Sequence, residues 1–121
     1  VILDLLGRPY RLGADGTDPD GAIDCIHLVY KVREELGLPS PPLQPAWYSA
    51  NKTTVLRALL MWGTRVPSPV YDGTVALLPD NSWVFGVVWT QGVLAIHSLT
   101  KRVTWTPLDA VRQAHYFWQK A

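Results

Sequence analysis

Cysteine is what this chain has least of. Its 121 residues include one, Cys25. No internal disulfide can staple the fold, and the thiol is either a reactive group or a small core filler. An excess of one charge is missing too: eleven Lys and Arg stand against ten Asp and Glu, spread along the chain. Without a basic stripe to hold a phosphate backbone, no nucleic-acid partner is expected. Long apolar runs are absent. The longest stretches, VLRALLMW and WVFGVVW, fall far short of the roughly 20 residues that cross a bilayer, so no membrane span is expected. The opening VILDLLGRPY carries an acid where a secretory leader has basic residues, and no small-residue cleavage pattern follows. A start at Val1 rather than Met is compatible with a trimmed or cut-out domain and equally with a lost leader. No internal repeat or low-complexity tract occurs.

Hydrophobic residues at 48% against charged residues at 17% describe a globular chain, and its length suits one domain with one core. Six Trp predict large aromatic burial or contact area. Leu3, Leu5 and Leu6 ahead of Gly7 and Pro9 read as a short helix stopped by those two residues. Residues 11–21, with Gly13, Gly16, Gly21 and three Asp, read as a surface loop. Their glycines lack phosphate-loop spacing. Asp15, Asp18 and Asp20 alternate as calcium ligands can, but no late bidentate Glu follows, so a solvated acidic loop is expected.

Asp24 sits where an N-cap belongs, ahead of a helix from Cys25 to Leu36 that Gly37 closes. The proline-rich run 38–46 (LPSPPLQPA) is a rigid connector. A second amphipathic helix is predicted from Asn51 or Thr53 to Trp62, ended by Gly63. Beyond Asp72-Gly73 come short β-rich runs in a meander: TVALL, WVFGVVW, VLAIHS and TKRVTWTPL, with a PDNS turn after the first. A helix-start pattern at Thr106-Pro107 and a final strand-like HYFWQ complete the chain. Helices first and strands afterwards is an α+β order.

A cysteine in the first turn of a helix lies near the positive end of the dipole, which favours a thiolate. Its context points the same way. LLGRPY at 5–10, a glycine-rich loop, DGAIDC at 20–25 followed by HLVY, and ELGLP at 35–39 come first; DGTVALL at 72–78, WVFGVVW at 83–89 and VLAIHS at 93–98 come later, in that order. Over nearly the whole chain this resembles the NlpC-type family of peptidoglycan cysteine peptidases, whose D-C-x-G-L-V helix precedes G-D-V-V, H-V-G and L-I-H strands. The continuation LVYKVREELGLP is closest to versions carried in bacteriophage tail tips.

The resemblance implies a single papain-like α+β domain over 1–121, with the Cys25 helix packed across a C-terminal antiparallel sheet. It puts Cys25 at the nucleophile position, Tyr10 and Asp24 where relatives hold the substrate's stem peptide, and His97 at the third polar position that orients the catalytic imidazole. It implies no metal or organic cofactor. Expected partners are other tail-tip or hub proteins and the peptidoglycan stem peptide, with the virion tail tip as location.

One position departs from the family pattern. The family's general base opens the H-V-G strand two residues before its glycine, and counting back from Gly86 gives Val84. Trp83 and Phe85 are equally inert, and no histidine occurs between His27 and His97. His27 lies two helical residues past Cys25 and points away from it; it also stands at the family's glycine position, a sign of altered packing. His115 is expected to be structural. The expectation is therefore a catalytically degenerate domain with a structural or docking role in a phage tail tip. Two alternatives stand beside it: an active endopeptidase with a Cys25–His97 dyad, and a cell-wall peptide binder that does not cut.

Overall fold

The structure is a computed structural model that describes residues 1–44, 47, 50–69, 71–80 and 83–120. Residues 45 and 46 of the proline-rich connector and Asn81 and Ser82 of the PDNS turn lie outside the described residues. Among the described residues two α-helices, α1 (Cys25–Glu35) and α2 (Lys52–Trp62), accompany six strands. These are β1 (Gly63–Val66), β2 (Val75–Pro79), β3 (Trp83–Trp89), β4 (Gly92–Ile96), β5 (Val103–Pro107) and β6 (His115–Gln119). They form one antiparallel sheet in the order β1-β6-β2-β3-β4-β5. The α+β class and the β2–β5 meander follow the sequence reading.

Both helices begin as their caps dictate. The Asp24 side chain accepts from the His27 amide at 2.8 Å, and Asn51 accepts from Thr54 at 2.9 Å, each satisfying an orphan first-turn donor. Gly37, at φ +71°, turns the chain out of α1, a conformation that L side chains resist. Gly63 behaves differently. Its backbone is extended (φ −135°), and the chain runs straight from α2 into β1. An added Cβ there would lie 2.5 Å from the Trp118 carbonyl oxygen, so glycine allows β1 and β6 to approach.

Several local expectations need correcting. The N-terminal segment is a 3-10 turn over Ile2–Leu5 rather than an α-helix. Pro107 starts only a 3-10 turn at Leu108–Ala110. Strand β1 was not foreseen, because four residues with two polar ones carry no period of their own.

Strand alternation sorts the core into two layers. Val75, Leu77, Phe85, Val87, Leu94 and Phe117 face the helices. Ala76, Leu78, Val88, Val93, Ala95 and Tyr116 face the opposite way, under Leu108, Val111 and Ala114. With both faces covered, WVFGVVW can be apolar without interruption. Helix α1 packs mainly on β3 and also touches β4. Leu28, Val29 and Val32 are fully buried along this contact, each worth about 1.5–3 kcal/mol of apolar burial. This packing fixes the height of Cys25 above the strand ends.

The far end of α1 holds a buried guanidinium. Arg33 is fully buried. Its Nε donates to the Pro39 carbonyl at 2.8 Å, Nη1 to the Gly73 carbonyl at 2.5 Å, and Nη2 to Gln119 Oε1. The rings of Trp62 and Trp118 lie 5.1 and 5.4 Å from it. Helix, connector, β2 approach and last strand thus meet on one side chain.

Candidate active site

Five separated segments converge on a cleft of about 570 Å³ at the N-terminal end of α1. Tyr10, Cys25, Val84 and His97 all line it, together with Asp80 and Lys101. Backbone pairing explains how Tyr10 arrives: its amide donates to the Lys101 carbonyl at 2.9 Å, and the segment bridges Ile23 on one side and Arg102 on the other. His97 follows the last residue of β4. Continuing the printed Gly86↔Ala95 register by two residues puts Val84 opposite His97.

Cys25 is the first residue of α1 and 7% exposed. The dipole argument predicts a lowered thiol pKa; the structure reverses it. Burial pushes the thiol up to about 11, against hydrogen bonding from the Phe85 backbone and the helix's own first amides. The Asp24 carboxylate raises it further. Desolvation of the thiolate outweighs the amides that would stabilise it. None of these principal influences is an imidazole.

Val84 stands where the resemblance puts the base. Besides lining the cleft, it packs against the second core layer, on the sheet face turned away from α1. An alkyl group there can neither take nor give a proton. His97 is partly exposed, and no side-chain hydrogen bond of its ring is found among the described residues. Asp80 fixes the next residue: its carboxylate accepts from the Ser98 amide at 2.9 Å and the Ser98 hydroxyl at 3.0 Å. The sequence reading missed this brace, since eighteen residues separate donor and acceptor and nothing local marks either.

Asp24 does not reach the cleft surface. It is fully buried: Oδ1 accepts from the His27 amide and from His27 Nδ1, each at 2.8 Å, while Oδ2 accepts from the Gly13 amide at 3.0 Å. The His27 ring, at N3, therefore reaches back to the cap's carboxylate, while the Asp24 amide donates to the Ala14 carbonyl at 2.9 Å. The D-x-x-H spacing was the available signal. Tyr10 is 40% exposed; burial first, then Cys25 and Asp24, raise its phenol. His115 lies on β6 beside Leu77, away from this group, with its Nδ1 buried and unpartnered among the described residues.

The acidic loop is internally occupied. Asp18 and Asp20 both pair with Arg11, and Asp15 accepts from the Thr17 amide and hydroxyl. Among the described residues no cluster of three or more His, Cys, Asp or Glu could hold a metal ion. No helix among them is long and apolar enough to cross a membrane. The site thus gathers a protonated thiol, a phenol, an imidazole and a lysine around one cleft, and the influences that set the thiol are burial, backbone amides and the Asp24 carboxylate. No protein-family model and no curated protein matches the chain.

Proposed function

We propose that this chain is a catalytically degenerate domain of the NlpC type, with a papain-like arrangement, serving as a structural or docking component of a phage tail tip. The observation that carries the reading is the state of Cys25: a buried thiol pushed up to about 11, with valine where a base would stand. Nucleophilic attack needs the thiolate, and departure of the amine needs a proton donor. At neutral pH the buried thiol stays protonated, and the alkyl group at position 84 cannot take its proton. Tail-tip placement rests on the likeness of LVYKVREELGLP to phage forms, and its partners would be neighbouring hub proteins.

Incubation of the purified chain with muropeptides tests this. The expected result is intact substrate; release of stem peptide that disappears in Cys25→Ala would overturn the proposal in favour of a Cys25–His97 dyad. Val84→His is the complementary arm, restoring cleavage only if the rest of the site is intact. A second reading, binding of cell-wall peptide without cutting, is favoured by the open cleft with Tyr10 and His97 on its walls. Retention on insoluble peptidoglycan that Tyr10→Ala abolishes would select it.

A further inference from the structure

The Asp24–His27 pair has no part in that function, yet it is the most tightly organised polar group near the cleft. Asp24 is the one buried carboxylate among the described residues. Because His27 Nδ1 donates to Asp24, the neutral ring keeps its lone pair on Nε2, on a side chain 30% exposed. One carboxylate therefore has an imidazole on one flank and, on the other, the thiol next along the chain and the Tyr10 phenol, both of which feel its charge.

We propose that His27 is a positioning residue for the cleft, acting through Asp24: a proton on its exposed Nε2 cancels the negative field that Asp24 projects onto Cys25 and Tyr10, and its loss restores that field. The warrant is Coulombic. A carboxylate stripped of water acts over a longer range than a solvated one, and a cation 2.8 Å from it turns a net charge into a dipole. The other groups facing His27 are few. Asp15, held low first by Thr17 and in smaller part by His27, faces it from the loop. Lys31 stands one helical turn on, beside Gly16, where Arg8 also reaches the Gly16 carbonyl at 3.3 Å. Tyr30 meets the ring edge-on at 5.8 Å. The 3-10 turn packed on α1 brings Asp4, which is paired with the Val1 ammonium. The inference holds whether the domain cuts, binds or docks, so the muropeptide result does not decide it.

Cys25 is the only cysteine, so a thiol reagent reports on it alone. The test is the rate of reaction of the full chain with methyl methanethiosulfonate, a neutral probe from which the thiolate displaces methanesulfinate, followed across pH. A lone thiol gives log rate rising with unit slope below its pKa. As His27 loses its proton, the returning Asp24 field makes the thiol harder to ionise, so the wild-type slope falls below one in that window. His27→Gln cannot titrate and keeps unit slope. The two profiles are expected to coincide at the alkaline end and separate at the acid end by roughly threefold to tenfold, wild type faster. Profiles of identical shape would overturn the proposal. A measurement free of mutation backs it: in wild-type protein the Tyr10 ring resonances must shift in step with those of the His27 imidazole, and a flat Tyr10 signal would equally overturn it.

Discussion

At its C-terminal end α1 buries a guanidinium, and at its N-terminal end it buries a thiol. Desolvation drives both toward their neutral forms: Arg33 down to about 10, Cys25 up to about 11. The difference lies in what surrounds them. Each nitrogen of Arg33 has an acceptor, and two indole rings lie against its planar group. Cys25 has amide donors, a nearby carboxylate that opposes its ionisation, and an open cleft beyond. Burial alone does not separate a structural ion from a chemical one. The list of satisfied partners does: the guanidinium end is closed, whereas the thiol end retains unused bonding capacity.

The sharpest way to break this comparison is to remove the guanidinium. Arg33→Ala would strand the Pro39 and Gly73 carbonyls and the Gln119 amide oxygen, and leave a void between Trp62 and Trp118. The expected loss is about 3–5 kcal/mol, the scale of breaking a buried charged network, read by urea unfolding. Arg33→Lys should recover only part, since an ammonium cannot reproduce the planar fork. A loss below about 1 kcal/mol, as for a surface change, would show that this end is not the closed one.

The two ends also differed in how far the sequence disclosed them. Asp24 and Gly37 mark the limits of α1 locally, and the alternation of apolar residues with turn signals marks β2 to β5. Helical spacing leaves Val32 or Arg33 as the last residue of the inward repeat, but nothing local shows a buried guanidinium, since its acceptors come from positions 39, 73 and 119. Strand β1 was hidden for a related reason, since its partner β6 lies some fifty residues away and only that pairing defines it. At the thiol end, the family resemblance grouped Tyr10, Asp24, Cys25, Val84 and His97, and the fold lines one cleft with all of them except the buried Asp24. Motif order could not say that burial defeats the helix dipole at Cys25, because solvent exclusion is a property of the assembled sheet and helix.

Asp24→Asn probes the link between cap and cleft at intermediate cost. Asparagine still caps a helix well, but its amide group would face the Gly13 amide or the His27 donors, leaving at least one of them unsatisfied. A loss of about 1–3 kcal/mol is expected for one orphaned buried donor. Removing the charge also deletes an influence that raises Cys25, so the thiol should become more reactive while the protein becomes less stable. Hydrogen exchange of the Gly13 amide and thiol reactivity measured on the same variant read the two effects. A stability loss with unchanged reactivity would confine Asp24 to capping.

The smallest effect tests the thiol itself. A thiol raised from 9.0 to about 11 on folding favours the native state only while it is protonated. Its contribution is complete below pH 9 and disappears as pH climbs through 11, because the unfolded chain releases the proton first. Between pH 8 and 10 this should cost roughly 1 kcal/mol, the range set by one pKa unit. The tyrosines at 10, 30 and 116 are raised as well and weaken the fold in the same sense at higher pH, while Arg33 acts oppositely above 10. Cys25→Ala carries all of those contributions but lacks the thiol, so the difference between its urea midpoints and those of wild type isolates it. If that difference stays constant from pH 8 to 10, the sulfur is as free to ionise in the fold as out of it. The contrast between the two ends of α1 would then rest on Arg33 alone.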